Sequence, residues 1–275
     1  MKRSILLFLA TIGCVSITLG LREWTLQPDG HTHLSFYDVG QGDSTLIRTP
    51  SGRTILIDGG PDWSTLEAIG RTLPFFDRRI DVLILSHANL DHLASFPEIL
   101  KRYRVKQLLV SIDTIDSPWF QNIVDASTRA NTELRVVRAG DTMTLDGELS
   151  MDVLWPPTKL DPSLQKELNN TSLVLRVHDA RHSALFTGDT ESFVEDVLLR
   201  AKVPLQSEIL KVAHHGSKTS STDTFLRAVR PKIAVISVGS DNTYGHPNTD
   251  VIKRLETVGA TVRRTDEEGE IDMTW

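Results

Sequence analysis

Two histidines and an aspartate fall within six residues at His87-Ala88-Asn89-Leu90-Asp91-His92, directly after the apolar run Asp81-Val82-Leu83-Ile84-Leu85. Imidazoles and carboxylates at this density are the donors of a divalent-metal site, provided the loop is compact enough to aim them at one point. A polar turn with capping residues is the bland alternative, and two histidines with an aspartate at this spacing argue against it. Thr187-Gly188-Asp189-Thr190 follows the apolar run Ala184-Leu185-Phe186. Taken alone, an Asp between strand and helix reads as a helix cap. Lys211-Val212-Ala213-His214-His215-Gly216-Ser217 follows Ile209-Leu210. Neighbouring side chains in extended backbone point to opposite faces. Only one of His214 and His215 therefore faces a given centre unless the chain turns, which Gly216 permits. Tyr244-Gly245-His246-Pro247 adds a lone histidine, which by itself is more often structural. Together these motifs offer ligands for two divalent cations. A pair of cations about 3.5–4 Å apart holds a hydroxide nucleophile and stabilises a leaving oxygen. No Ser-His-Asp set of comparable quality appears, there is no Walker-type lysine loop, and Gly40-Gln41-Gly42 is too short for a dinucleotide fingerprint.

The elements that must position these residues follow from periodicity and turn chemistry. Short strands are expected at 33–39, 44–49 and 54–58, separated by the turns Gly40-Gln41-Gly42-Asp43 and Pro50-Ser51-Gly52. A helix is expected at 64–76, and the continuous apolar run 81–85 reads as a strand buried on both faces. Ser95-Phe96-Pro97-Glu98 has the form of a capping box with proline in the first turn, which would pin the ligand loop between strand and helix. Helices near 96–102 and 117–130 alternate with strands at 106–111 and 134–138. A strand at 145–154 leads to a polar loop at 156–170 with three prolines. Strands at 173–177 and 183–187 are followed by helix 191–201, strand 207–213, helix 222–229, strand 232–238, helix 248–257 and strand 260–265. Strands alternating with helices in this way make an α/β fold.

The chain has 275 residues, 40% hydrophobic and 24% charged, with a net charge of -6. That composition is globular, and its acidity argues mildly against a dedicated nucleic-acid binder without excluding a local basic groove. The basic clusters Lys101, Arg102, Arg104, Lys106 and Arg227, Arg230, Lys232 read as solvated faces. One cysteine, Cys14, excludes an intramolecular disulfide and a cysteine-based zinc site. Lys2 and Arg3 precede an apolar stretch from Ile5 to Leu21, so residues 1–21 read as a signal peptide or N-terminal membrane anchor, with lipidation at Cys14 a third option. Each option places the hydrolase-like domain, residues 30–275, outside the cytoplasm.

The motifs, in their order, resemble the metallo-β-lactamase superfamily, and within it the extracytoplasmic domain of ComEC-type DNA-uptake proteins. The shared pieces are Phe36-Tyr37-Asp38-Val39-Gly40-Gln41-Gly42-Asp43, Leu56-Ile57-Asp58-Gly59-Gly60, the His87–His92 run, Leu154-Trp155-Pro156-Pro157, Asn169-Asn170-Thr171-Ser172-Leu173-Val174-Leu175, Thr187-Gly188-Asp189, His214-His215-Gly216-Ser217 and Tyr244-Gly245-His246-Pro247. They run from about residue 32 to 275, and the chain reads as a stand-alone version with one N-terminal hydrophobic segment. The resemblance implies a four-layer αββα sandwich with a metal site along one edge. It implies His87 and Asn89 as ligands of a first metal, Asp91 and His92 of a second, Asp189 as the bridging carboxylate, and His215, with His214 as the alternative, as the late histidine. Asn89 stands where the family pattern has histidine or aspartate, and Asn169 and Asn170 stand where many members have a further histidine. A neutral amide oxygen is the poorer ligand, so one Zn2+ or Mn2+ held tightly and a second held weakly is the expectation. The implied reaction is phosphodiester hydrolysis by metal-bound hydroxide, with DNA as a substrate or partner. Asp91, His215 and Lys211 are the candidates for a direct part in it, and Ser217, His246, Asp38 and Asn170 the candidates for substrate contact. Lactone or thioester hydrolysis, and an impaired module that only binds DNA, are the alternatives. A nuclease predicts salt-sensitive DNA binding and a lactonase does not.

Overall fold

The computed structural model describes residues 2–111, 117–159 and 167–275. Helix α1 (Lys2–Thr25) precedes the first sheet. That sheet contains β1 (His33–Phe36), β2 (Thr45–Arg48), β3 (Thr54–Ile57), β4 (Arg79–Leu85), β5 (Arg104–Val110), β6 (Glu133–Val136) and, from the far end of the chain, β14 (Ile271–Thr274). The second sheet contains β7 (Thr142–Asp146), β8 (Leu149–Trp155), β9 (Val174–His178), β10 (Ser183–Phe186), β11 (Ile209–Lys211), β12 (Ile233–Ile236) and β13 (Thr261–Arg264). Strand orders are β14-β1-β2-β3-β4-β5-β6 and β13-β12-β11-β10-β9-β8-β7, both mixed. Helices α2 (Ser64–Thr72), α3 (Leu90–Leu93), α4 (Phe96–Arg102) and α5 (Pro118–Arg129) belong to the first half, and α6 (Ser192–Ala201), α7 (Asp223–Val229), α8 (Thr249–Thr257) and α9 (Thr265–Glu268) to the second.

Successive strand residues face opposite ways, and here both directions are apolar. Ile55, Ile57, Val82, Ile84 and Leu109 of the first sheet meet Val153, Leu175, Phe186, Ile209 and Val235 of the second. Their neighbours Leu56, Leu83, Leu85 and Leu108 point outward to Ile69, Phe96, Ile99 and Ile123 of the first set of helices. Leu185, Leu210 and Ala234 do the same against Leu198, Phe225 and Val251. Three apolar seams between four layers make this the αββα sandwich that the resemblance implied. The Phe36 and Phe186 rings, 6.1 Å apart, stack across the central seam.

The structure departs from sequence expectation in several places. The strand expected at 145–154 is a hairpin, β7 and β8, turned at Gly147. Short α9 and strand β14 were not anticipated. Ser95 makes no side-chain cap to α4; its hydroxyl lies buried and donates to the Gly59 carbonyl at 2.6 Å. Part of the proline-bearing loop, residues 160–166, lies outside the described residues. So do the side chains of residues 1–8, which carry the basic start of the expected targeting segment. Among the described residues, no helix is long and apolar enough to cross a membrane.

Candidate metal centre

The ligand loop starts where β4 ends. Ser86, the first residue after the strand, donates its backbone N–H and hydroxyl to the two oxygens of buried Asp58, at 2.8 and 2.7 Å. Asp58 follows β3, has a left-handed φ of 61°, and reaches the Nδ1 of His92 at 2.9 Å. A carboxylate on one ring nitrogen fixes the tautomer and turns the other nitrogen toward the centre. The turn before β2 is packed against the same loop. Asp43 N–H donates to the Asp91 carbonyl at 3.2 Å. At Gly42 (φ 156°) an added Cβ would fall 2.4 Å from that carbonyl, so only glycine allows the approach.

The second sheet supplies the other half. Asp189, which taken alone reads as a helix cap and by the resemblance as the bridging carboxylate, does not cap α6, whose N-cap is Glu191. It is buried and faces His92 and His215. His214 and His215 both take left-handed backbone, φ 50° and 51°, so the turn lies in the histidines themselves as well as in Gly216. Non-glycine residues in this region cost on the order of 1–3 kcal/mol and cluster at functional sites. The turn sends the two rings apart. His215 points inward, its Nδ1 2.9 Å from the Ser237 carbonyl and 3.3 Å from Asp43 Oδ1.

One oxygen or nitrogen from each of Asp91, His92, Asp189 and His215 lies within 4.8 Å of the others. His92 Nε2 is 3.4 Å from Asp189 Oδ2 and 3.8 Å from Asp91 Oδ2. His215 Nε2 is 3.4 and 3.3 Å from the same two oxygens. The buried His87 Nε2, His92 Nε2 and Asp189 Oδ1 have no hydrogen-bond partner. Buried polar atoms are seldom left unpaired, and these three are the atom types a divalent cation takes. Electrostatics agree. Burial opposes charge on His92 and His215, yet the Asp189 carboxylate, joined by Asp58 and Asp43 respectively, raises both rings well above the usual imidazole range. Burial opposes ionisation of Asp189 too, and those two rings hold it well below the usual carboxylate range. The carboxylates thus demand positive charge at this point, and a divalent cation supplies it. Burial, with the neighbouring His92 charge, depresses His87 to about 3, leaving a neutral ring.

Other sequence candidates are placed differently. Asn89 donates from Nδ2 to Asn169 Oδ1 at 2.8 Å, and Asn169 Nδ2 lies 3.3 Å from His214 Nε2. Lys211 is buried and ion-paired with Asp43. Ser217 is buried, its hydroxyl 3.1 Å from that of Thr219. Asn170 accepts from the Glu191 N–H at 3.0 Å, and exposed Asp38 accepts from Gly40 N–H at 3.2 Å. None of Lys211, Ser217, Asn170 and Asp38 lines the cleft over the centre; His246 does. That cleft holds about 390 Å³ and is walled by Gln41, Asn89, Leu90, Asn169, His214 and Tyr244 above Asp91, Asp189 and His215. A larger hollow of about 640 Å³, beside His31, Asp146, Arg181 and Trp275, is lined by none of the residues singled out from the sequence as ligands. Asp43 and Asp58 carry roles that sequence reading missed. Asp43 closes the glycine-bearing motif Gly40-Gln41-Gly42-Asp43 and Asp58 opens Asp58-Gly59-Gly60, and that was the available signal.

Comparison with known proteins agrees with the geometry. Residues 37–240 match the family described as the metallo-beta-lactamase superfamily. ComE operon protein 3 of Bacillus subtilis is 31% identical over 255 residues, which cover 86% of this chain and 32% of that protein. Competence protein ComA of Neisseria gonorrhoeae is 32% identical over 272 residues, 93% of this chain and 36% of that one. The chain thus spans about a third of the length of these relatives. Among solved structures, the metallo-beta-lactamase fold protein YhfI of Bacillus subtilis superposes with a TM-score of 0.58 at 14% identity, covering 89% of this chain and all of that one. Zn(2+)-bound PqqB of Methylobacterium extorquens gives 0.57 at 12% identity, covering 85% and 87%. With the fold, the donor cluster and the family match in agreement, the chain belongs to the metallo-beta-lactamase superfamily and is similar to competence proteins.

Proposed function

We propose that the chain is a metal-dependent phosphodiesterase acting on nucleic-acid strands outside the cytoplasm. The observation that carries the hydrolase reading is the convergence of Asp91, His92, Asp189 and His215 around buried, unpartnered ligand atoms. Asp91, His92, Asp189 and His215 would hold a divalent cation, which would supply Lewis-acid chemistry: a water made acidic to a pKa of about 7 and stabilisation of negative charge on a phosphoryl oxygen. The chain's own residues do the rest. Asp91, about a third exposed at the cleft floor, orients the attacking water and accepts its proton at a carboxylate oxygen. His246, kept neutral by burial and then by the charges of His214 and His215, offers a ring N–H to a substrate oxygen. Tyr244 is 72% exposed and stacks on His246 at 5.9 Å with 16° between the planes. Exposed aromatic rings beside a phosphodiester site suit unpaired bases, because every base has a face to stack. The similarity to competence proteins fits the involvement of DNA.

A second reading, a DNA-binding module with impaired catalysis, is favoured by one observation. Asn89 and Asn169 are hydrogen-bonded to each other and toward His214, so this side of the cleft is bridged by neutral amides. The two readings separate in one experiment. The full chain is analysed for retained metal after dialysis, then assayed on bis(p-nitrophenyl) phosphate and on single-stranded DNA with Zn2+ and with Mn2+. One retained equivalent and hydrolysis lowered at least roughly 100-fold in Asp91→Ala are expected, the order that general acid–base groups contribute. Hydrolysis unchanged in Asp91→Ala sinks the site. DNA binding without hydrolysis under either metal selects the binding module.

A further inference from the structure

Asp43 and Lys211 form a buried ion pair 168 positions apart in sequence, one before β2 and the other at the end of β11. Neither side chain lines the cleft. Asp43 reaches the candidate ligands through both side chain and backbone, and Lys211 reaches them through Asp43 and through the Thr187 loop. His215 Nδ1 donates to the Ser237 carbonyl at 2.9 Å and His92 Nδ1 meets Asp58 at 2.9 Å. The Asp43 carboxylate stands behind both rings, 3.3 Å from His215 Nδ1 and 3.9 Å from His92 Nδ1, and its backbone N–H holds the Asp91 carbonyl at 3.2 Å. The Lys211 carbonyl accepts from the Thr187 hydroxyl at 2.8 Å, two residues before Asp189. The pair therefore touches the loops that deliver all four donors. A buried ion pair is weak as a source of stability, because desolvation of both charges offsets their attraction. Its position suggests another use. A carboxylate behind a ligating histidine fixes the ring and raises the basicity of the ligand nitrogen. An unneutralised Asp43 between His92 and His215 would be an additional buried anion competing with Asp91 and Asp189 for positive charge.

We propose that Asp43 and Lys211 are a positioning pair for the metal centre: Asp43, together with the Ser237 carbonyl that accepts from His215 Nδ1, keeps His215 Nε2 turned toward Asp91 and Asp189, and Lys211 neutralises Asp43 so that the cation is drawn to the ligand side. Lys211 thereby acts behind the centre and makes no contact with substrate phosphate. This inference rests on the metal-centre reading above.

The test uses the full-length chain and measures Mn2+ and Zn2+ affinity by competition with a chromogenic chelator, the thermal stability of the metal-free protein, and kcat and KM on bis(p-nitrophenyl) phosphate. Lys211→Met strands a buried carboxylate and lowers metal-free stability. In the double variant Asp43→Asn/Lys211→Met both charges are gone, so metal-free stability returns toward wild type. Metal affinity stays weaker by roughly 10–100-fold, the effect of removing a ligand-orienting partner. Asp43→Asn alone, which keeps the side-chain shape, gives the same loss of affinity should the double variant fail to fold. Wild-type metal affinity in both Asp43 variants overturns the proposal, as does a Lys211→Met defect confined to KM with metal affinity intact. A wild-type chain that binds neither cation overturns the metal centre and the proposal together, which distinguishes that failure from failure of the pair alone.

Discussion

At position 89 the chain carries a neutral amide in the middle of a loop of ligands. Its Nδ2 donates to Asn169 Oδ1, and the far amide of that partner reaches His214. A carboxylate at this position would have no hydrogen to donate and would sit two residues from Asp91. Asn89→Asp is therefore expected to open the amide bridge and admit a second cation more tightly, by roughly tenfold or more on the scale of ligand-shell effects. Metal titration monitored by calorimetry checks this, and an unchanged second equivalent counts against it. Asp91 and His92 stood out in the sequence as candidate donors because they lie close together with His87, and His215 because it precedes a glycine. Lys211 was legible as chemistry but not as to which chemistry. Beside two histidines it reads as a candidate for a direct part in hydrolysis, and only the fold brings Asp43 to it and buries both. Asp189 looked like a cap for the same reason: nothing local shows that His92 and His215 will face it.

Elements here are held by single buried groups as much as by their apolar faces. Glu195 on α6 is 1% exposed, and its carboxylate accepts from the backbone N–H groups of Ser221 and Thr222 and from the Thr222 hydroxyl. It thereby ties α6 to the N-cap of α7. Glu195→Ala is expected to cost on the order of 1–3 kcal/mol, the penalty for stranding buried donors. Burial raises the Glu195 carboxyl above its ordinary value of 4.5, against the hydrogen bonds from Thr222 and Ser221. A raised acid favours the folded state most below its unfolded value, and that advantage is lost as pH rises through the folded value. The stability of wild type relative to Glu195→Gln should accordingly be greatest below about pH 4.5 and decline upward, as followed by urea denaturation across pH. A difference that grew with pH would contradict the assignment. Periodicity identified most strands and helices because β4, β10 and β11 are apolar runs bounded by polar turns. It merged β7 with β8 because Gly147 interrupts a pattern that is otherwise strand-like on both sides.

Over the whole molecule the donor set is divided between the two sheets. Asp91 and His92 follow β4, while Asp189 and His215 follow β10 and β11. A cation bound by all four clasps the halves together and binds the folded chain alone. At one hundred times its dissociation constant such a ligand adds about 2.7 kcal/mol, or roughly 5–10 °C for a domain of this size. Differential scanning calorimetry with and without chelator tests the clasp, and an identical melting temperature would mean that no cation spans the sheets. The four-layer plan was legible because strands apolar on both faces must be covered on both sides. The closing of the first sheet was not, since β14 lies far along the chain from β1, with which it pairs antiparallel from His33↔Thr274 to Phe36↔Ile271. During synthesis, β1 leaves the ribosome with one neighbour in β2 and must wait for more than two hundred further residues before its other side is paired. For that interval the nascent first half displays an open row of backbone donors and acceptors, a template for stray strands. Residues 271–274 thus determine when the half that carries Asp91 and His92 stops being a hazard to its neighbours.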